Sequence, residues 1–501
     1  MTFTAHLTRR GFGMAGLASA LALTAGLAAA APKTDITVGQ QLEPPHLDPT
    51  SAAAGAIDAV VYSNIFEGLT RFASDGSVIP GLATSWDISG DGLEYTFHLA
   101  EGVKFHDGTD FDAEDVKFSL DRARAEDSAN AQKGLFSSIA SVDVVDPMTV
   151  KVTLSAPNGM FLFNMAWGDA VIVAPESIET IKTDPIGTGA FKFSNWVQGD
   201  RIEIEKNPDY WGTPAKLDKV TFKYISDPTA AFAAMMAEDV DVFGPFPAPE
   251  NLPQFDVDPR FKVLVGSTEG ETILAINNRE APFDNVKVRE AVAHAINRQE
   301  IIDGAMFGYG TPIGTHFAPH NPDYVDLTSL SNYDPELSKK LLAEAGVPEG
   351  FQFKMTLPPP SYARRGGEII AAQLRAVGLD PQIENVEWAQ WLESTFKGHD
   401  FGMTIVSHTE PMDIGIYANP DYYFGYDNPD FQKLMSDLNL ETDAAVRSDM
   451  LKQAQEMIAK DFVNGFLFQL ALTTVANAKV EGLWLNAPTQ AADMTSVYWT
   501  E

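Results

Sequence analysis

The chain has 501 residues, of which 35 are Lys or Arg, 69 are Asp or Glu and none is Cys. Its formal charge of −34 repels phosphate groups, so nucleic acids and anionic lipid surfaces are excluded as partners. The absence of cysteine excludes disulfides, thiol catalysis and Cys-ligated metal centres. A hydrophobic content of 45% is typical of a globular protein, and the length predicts about two to four domains.

The first thirty residues are predicted to be a signal peptide. Arg9 and Arg10 precede an apolar, alanine-rich stretch that ends in small residues. A charged start, an apolar middle and a small-residue cleavage site are typical of secretory signals, and TRRGF is similar to the twin-arginine export motif. An uncleaved membrane anchor is the alternative. We expect cleavage after Ala30 by either the twin-arginine or the general secretory route, and a periplasmic mature protein.

Strands and helices alternate along the mature chain. Short apolar runs bounded by turn residues predict strands, and apolar residues recurring every three or four positions predict helices. The predicted strands are 36–42, 85–88, 94–99, 191–193, 201–205 and 351–356. The predicted helices are 58–69, one beginning at Asp112, 286–303, 335–345, 365–377 and 444–460. The pattern indicates an α/β or α+β protein with two lobes.

No motif in the chain predicts catalysis. The sequence has no G-x-S-x-G elbow, P-loop or H-E-x-x-H. His316 and His320 are four residues apart, but Pro319 opposes a helix there, so a pair of loop histidines is favoured over a metal site. Residues 107–112 lack the final glutamate of a calcium loop and indicate a turn before a helix. We therefore predict a non-enzymatic protein without a metal or cofactor.

Six segments together carry a family resemblance. In chain order they are YSNIFEGLTRF (62–72), LATSWDISGDGLEYTFHLAEGVKFHDGTDFDAEDVKFSLDRA (82–123), IGTGAFKFSNW (186–196), KNPDYWG (206–212), VREAVAHAINRQEII (288–302) and YDPELSKKLLAEAG (333–346). The ordered set resembles the extracellular solute-binding proteins of bacterial ABC importers, specifically family 5, the large oligopeptide-, dipeptide- and nickel-binding type. It covers nearly the whole mature chain.

The resemblance implies a two-lobed α/β periplasmic binding protein of the Venus-flytrap type. Lobe I would comprise residues 31–270 and the returning segment 475–501, with an extra subdomain at about 75–185. Lobe II would comprise residues 271–474. The implied partners are a ligand held between the lobes and an inner-membrane permease and ATPase complex, with the binding protein itself a monomer.

The resemblance also suggests where a ligand is bound. Glu410 matches the family's aspartate that pairs with a ligand ammonium, with Asp413 as the alternative, although Ser407 stands near the place of the family's Trp. No Arg precedes the helix that follows residue 360, so Arg364, with Arg365, is the candidate for a ligand carboxylate. Trp388 and Tyr417 would offer aromatic contact to the ligand. Glu43 and Pro44 match the first-lobe segment that binds extended peptides in the family. His408 is the candidate contact for a metal chelate.

These features predict the solute-binding component of an ABC importer for an oligopeptide or a peptide-like amine. The same receptor role for an opine, an oligosaccharide or a metal chelate is the alternative ligand class. A ligand-binding sensory or chaperone-like protein on the same fold is the alternative from another functional class. A secreted hydrolase is disfavoured because the nucleophile motifs are missing.

Overall fold

The computed structural model describes residues 33–51 and 55–500. The predicted signal peptide, residues 1–30, lies outside the described residues. Within the described part of the chain, no helix is long and apolar enough to cross a membrane.

The described residues form a mixed set of strands and helices. The strands are β1 (Asp35–Gln40), β2 (Thr70–Phe72), β3 (Val78–Pro80), β4 (Ala83–Ile88), β5 (Glu94–Leu99), β6 (Ile139–Asp146), β7 (Thr149–Leu154), β8 (Phe191–Val197), β9 (Arg201–Lys206), β10 (Lys219–Tyr224), β11 (Val242–Phe243), β12 (Phe261–Ile276), β13 (Thr311–Pro312), β14 (Phe351–Leu357), β15 (Leu379–Asn385), β16 (Met403–His408), β17 (Gly465–Asn477), β18 (Val480–Glu481) and β19 (Tyr498–Trp499). The helices are α1 (Gly55–Val61), α2 (Ala113–Arg124), α3 (Phe161–Asn164), α4 (Pro228–Met236), α5 (Leu252–Asp256), α6 (Val286–Ala295), α7 (Arg298–Met306), α8 (Pro335–Glu344), α9 (Ser361–Ala376), α10 (Trp388–Gln390), α11 (Pro429–Leu440) and α12 (Ala444–Lys460).

Two long antiparallel strands, β12 and β17, lie at the centre of the main sheet. Its order is β15-β14-β16-β12-β17-β11-β1-β10-β9-β8, and β13 pairs with β17. One side of this pair carries parallel strands from the second half of the chain, and the other carries strands from the first half. A separate apolar core packs beside each group. The predicted lobe boundary at residues 270 and 271 falls within β12, and the lobe limits stay a prediction.

A smaller sheet, β4-β5-β7-β6, packs under α2 inside the predicted extra subdomain. Its core is rich in aromatic rings, including Tyr95, Phe97 and Phe161. The helix begins where the sequence predicts, because the Asp112 carboxylate accepts a hydrogen bond from the Glu114 N–H and Asp115 completes a capping box. The preceding acidic segment is a turn, as predicted, in which Asp107 accepts hydrogen bonds from Thr109.

Two predicted helices are shorter than their apolar spacing indicates. The segment 286–303 is two helices, because Ile296 is extended and the Asn297 side chain caps α7 by accepting from the Glu300 N–H. The segment 58–69 is helical only to Val61, because Ser63 adopts a left-handed φ of 58°. Ile65 and Leu69 are nevertheless buried. Their spacing therefore predicts correctly that they belong to the core, although they do not lie on a continuous helix.

Candidate functional site

A buried pair of histidines shares one carboxylate beside the central strands. The Asp413 carboxylate lies 2.7 Å from His316 Nε2 through Oδ1 and 3.1 Å from His408 Nδ1 through Oδ2. His408 ends β16, Asp413 begins a short 3₁₀ turn, and His316 lies in the loop after β13. We call these three residues the His–Asp centre. The loop position of His316 and His320 agrees with the sequence prediction, but the two rings bind different carboxylates.

Two tyrosine hydroxyls lie within hydrogen-bond distance of the outer histidine nitrogens, which are the ring nitrogens that do not contact Asp413. The Tyr417 hydroxyl lies 3.1 Å from His316 Nδ1 and accepts a hydrogen bond of 3.1 Å from the Asn464 amide. The Tyr423 hydroxyl lies 3.2 Å from His408 Nε2. Both tyrosine side chains are almost fully buried. Every ring nitrogen of the two histidines therefore has a hydrogen-bond partner, and both rings are fixed in orientation.

The His–Asp centre holds an ionised Asp413 carboxylate against a neutral His316 ring. Burial raises the pKa of Asp413, but the contacts with His316 and His408 outweigh it and hold the pKa below its usual range. Burial lowers the pKa of His316, so this ring is neutral at pH 7 and its N–H donates to Asp413.

Two further carboxylates lie next to the centre on β12. Glu269 is 2.6 Å from His320 Nε2. Glu271 is directly opposite His408 in the ladder between β12 and β16, it is 3% exposed, and its Oε2 has no hydrogen-bond partner among the described residues. Burial raises its pKa well above the usual range, and the charges of Asp413, Glu269 and Glu410 add to the effect. The site thus contains four carboxylates: Glu269, Glu271, Glu410 and Asp413. No Lys or Arg of the described ranges forms an ion pair with any of them.

Residues 77–430 match the sequence model of a family described as bacterial extracellular solute-binding proteins, family 5 Middle. The chain belongs to this family. It is a family of binding proteins, which confirms the predicted family and the prediction that the protein is not an enzyme. The chain is 33% identical over 394 residues to the glutathione-binding protein GsiB of Salmonella paratyphi A, covering 77% of this chain and 75% of that protein. It is 30% identical over 484 residues to GsiB of Pectobacterium atrosepticum, covering 90% and 92% respectively.

Solved structures show the same mixed α/β fold. The periplasmic binding protein DppA from Helicobacter pylori, in complex with the peptide STSA, gives a TM-score of 0.76 at 26% identity and covers 94% of this chain and 99% of its own. HbpA2 from Haemophilus parasuis gives a TM-score of 0.85 at 26% identity, covering 93% and 100%. The predicted periplasmic-binding-protein fold is thereby confirmed.

In this family 5 protein, half of the predicted ligand residues lie together. Asp413, His408 and Tyr417 form part of the His–Asp network. Glu410 lies three residues before Asp413, is exposed, and accepts a hydrogen bond of 3.2 Å from the Thr409 N–H. Its charge acts on the pKa of Glu271 and of His316, which indicates that it belongs to the same electrostatic group.

Trp388 stands at the outer end of an aromatic row that leads to the His–Asp centre. Its ring is 5.5 Å from that of Trp391, which is 5.7 Å from Tyr423, and Tyr423 stacks at 6.1 Å on His408. Trp388 itself is 40% exposed, so one end of the row faces solvent and the other is buried.

The other predicted ligand residues bind their own neighbours. The Glu43 carboxylate accepts hydrogen bonds from the Trp196 indole at 2.8 Å and from the Gly199 N–H at 2.9 Å, and Pro44 beside it is buried. Arg364 forms an ion pair of 3.0 Å with Glu387 and also donates to the Val386 carbonyl. None of these contacts involves the His–Asp centre.

Sequence reasoning missed His316 and Glu271 as members of the site. Pro319 indicates correctly that His316 lies in a loop, but the sequence gives no sign of its partner Asp413, which lies 97 positions away. Glu271 carried a weak signal that could have been used: a carboxylate immediately before the apolar run Thr272 to Ile276 of a central strand is unusual, since buried charges need partners.

Proposed function

We propose that this protein is the periplasmic solute-binding component of an ABC importer and that its ligand is an oligopeptide or a peptide-like amine. The ligand's ammonium would pair with the acidic group formed by Glu271, Glu410 and Asp413. Two similar proteins support a peptide ligand: GsiB is a glutathione-binding protein, and the structure of DppA was solved with the peptide STSA. Each of those ligands carries a free amino group.

The observation that carries this proposal is the missing counter-ion. Burying a carboxylate without a cation costs several kcal/mol, in order of magnitude, unless the group is paired or protonated. Glu271 is buried with a free oxygen, and no Lys or Arg in the described part of the chain pairs with it, with Glu410 or with Asp413. Burial favours the protonated form of the Glu271 carboxyl by raising its pKa, and an ammonium brought by the ligand would let this group ionise and pair. Glu410 is the exposed member of the group and therefore the one that a ligand meets first.

The aromatic row from Trp388 to His408 supports an extended organic ligand. Aromatic side chains give contact area that tolerates different ligand side chains, and they attract an ammonium by cation–π interaction. We expect the predicted lobes to close over the ligand, with β12 and β17 crossing between them. Closure follows from ligand contacts that exist only when both lobes are engaged. The closed form would then dock on a permease and ATPase complex.

Calorimetry with a matched ligand pair tests the proposal. The probes are the peptide Ser-Thr-Ser-Ala, its N-acetylated form, glutathione and a lysine-containing tetrapeptide. Glu410→Gln keeps the shape of the side chain and removes its charge. Glu410 is exposed in this structure, and we expect lobe closure to bury it against the ligand. Losing one partner of such a desolvated charge pair costs about 2–5 kcal/mol, so affinity should fall roughly 30-fold to several thousand-fold. Asp413→Asn tests the alternative position for the ammonium.

The control variant is Glu393→Gln, which removes an exposed carboxylate paired with Lys397 on the same half of the chain. It should leave affinity unchanged. Equal binding of the free and the N-acetylated peptide would show that no ammonium is held, and an opine, an oligosaccharide or a metal chelate would replace the amine as the ligand class. Loss of peptide uptake on deleting the gene separates an importer component from a sensory or chaperone-like protein.

A further inference from the structure

We infer that the His–Asp centre binds one divalent transition-metal ion of the zinc class, held by His316 Nε2, His408 Nδ1 and the Asp413 carboxylate. This ion would be resident in the protein and distinct from the transported solute. The three donors and their partners all belong to the chain, but Asp413 and Glu271 are also part of the acidic group proposed above for the ligand's ammonium. Peptide affinity measured with and without zinc therefore distinguishes the two occupants.

The donor atoms are already collected at nearly the spacing that a metal requires. The ligating atoms of His316, His408 and Asp413 all lie within 4.8 Å of one another. Bonds of about 2.0–2.1 Å in a tetrahedral site place neighbouring donors roughly 3.3 Å apart. The contacts of 2.7 and 3.1 Å would therefore open by about 0.6 and 0.2 Å, and a pair of donors at the 4.8 Å limit would close by about 1.5 Å.

The surroundings of the two rings are those of metal-binding histidines. A ligating imidazole normally uses its second nitrogen in a hydrogen bond that fixes its orientation. His316 uses Nδ1 with the Tyr417 hydroxyl, and His408 uses Nε2 with the Tyr423 hydroxyl. A hydroxyl can donate or accept, so each ring can release the proton on its inner nitrogen and keep its outer contact. Asn464 holds Tyr417 in place from behind.

An unpaired buried carboxylate next to the centre is the second, independent observation. Glu271 shares a face with His408 because the two residues are directly opposite in the sheet, and its free Oε2 is buried. On its other side it is opposite Gln469 of β17, whose Oε1 is also buried without a partner. Two buried oxygens without a hydrogen-bond partner among the described residues, both beside the centre, are sites where a cation's charge would be stabilising.

The donor set selects the class of metal. With no cysteine in the chain, only nitrogen and oxygen ligands are present, and two imidazoles with carboxylate oxygen suit Zn²⁺ and its first-row neighbours rather than Ca²⁺ or Mg²⁺. An ion can enter along residues 409–413, because Thr409 and Glu410 are exposed and the Asp413 side chain is 12% exposed.

The test uses the mature protein without an affinity tag, stripped with EDTA and free of peptide. Titration with ZnCl₂ should show one equivalent bound with a dissociation constant below about 1 µM. Co²⁺ should give the visible absorption of a low-coordinate nitrogen and oxygen site, and zinc should abolish it. Zinc should also raise the melting temperature, because it binds only the folded state. A titration with no stoichiometric binding would overturn the inference.

Variants locate the ion. His408→Gln and His316→Gln should each weaken zinc binding more than about 100-fold, and Tyr417→Phe about 10–100-fold, as expected for an outer partner. His98→Gln is the control, because His98 pairs with Asp87 on the surface. If His98→Gln weakens binding as much as His408→Gln, the ion is elsewhere and the inference is wrong. Should a histidine variant not fold, Asp413→Asn and the cobalt spectrum of the unaltered protein give the same decision.

Discussion

Replacing Glu271 by Gln is expected to stabilise the empty protein and to weaken its ligand binding. Glu271 lies on β12 with His408 opposite on one side and Gln469 opposite on the other, so the three side chains share one face. Glu271 Oε2 and Gln469 Oε1 are both buried acceptors without a donor. A glutamine at position 271 has nearly the same shape, and its amide supplies the missing donor.

The stability gain can be sized from these two atoms. A buried polar atom without a partner costs about 1–3 kcal/mol, whereas a typical hydrogen bond contributes about 0.5–1.5 kcal/mol. Satisfying one acceptor and removing the cost of protonating the buried carboxyl at neutral pH should therefore raise the free energy of unfolding by about 1–3 kcal/mol. At about 2 °C per kcal/mol for a chain of this size, the melting temperature should rise by about 2–6 °C.

Ligand binding should change in the opposite direction. The Glu271 carboxyl can ionise and pair with the ligand's ammonium whereas the Gln amide cannot, so the variant should bind the peptide at least about 10-fold more weakly. Both measurements use EDTA-treated protein, by calorimetric melting and by peptide titration. Glu94→Gln, at an exposed carboxylate paired with Lys151, should alter neither. A variant that melts lower and binds as well as the original protein would refute this account of Glu271.

Two further predictions concern carboxylates of the N-terminal half. Burial, with a contribution of the nearby Asp169 charge, raises the pKa of Asp58 to about 8, and burial raises the pKa of Asp169 to about 7. Because both pKa values lie above that of an unfolded Asp, the free energy of unfolding should fall as pH rises from about 4 to 8, by up to about 1.4 kcal/mol per pH unit and group. Urea unfolding at several pH values measures this fall, which should be smaller for Asp58→Asn. Glu67 accepts hydrogen bonds from Thr188, Tyr210 and Trp211. Glu67→Ala should therefore lower the free energy of unfolding by about 3 kcal/mol or more, and Glu67→Gln should lower it less. The same urea titration measures both variants.

The elements that the sequence predicts best are those with a local cause. The helix predicted at 444–460 is α12 with the same limits, and Asp443 caps it through the Ala445 and Val446 N–H groups. The strand predicted at 94–99 is β5 with the same limits, since its apolar and polar residues alternate. The helix predicted at 286–303 was wrong at Asn297. A residue that can cap a new helix also fits inside a continuous apolar pattern, so spacing alone does not show the break.

The candidate site was only partly predictable for a different reason. Glu410, Asp413 and His408 lie within six positions of one another, and a family resemblance in that segment was enough to select them. His316 and Glu271 reach the same place through the pairing of β12, β16 and β17 and through the loop after β13. Strand register between distant segments is fixed by the packing of the whole sheet. This register cannot be derived from the residue pattern of a single sequence.

The charge of the site bears on which peptide is transported. Glutathione carries two carboxylates and one ammonium at neutral pH, so it brings more negative than positive charge to a group that already contains Glu271, Glu410 and Asp413. Arg364, the residue proposed for a ligand carboxylate, is engaged with Glu387. A lysine-containing peptide brings a second ammonium and leaves fewer carboxylates unpaired. If the acidic group controls selection, the lysine peptide should bind more tightly than glutathione, and the difference should shrink as salt screens the exposed Glu410. Tighter binding of glutathione would instead require a cation near the ligand. A resident metal ion at the His–Asp centre would supply that cation, and removing the ion with EDTA would then abolish the preference for glutathione.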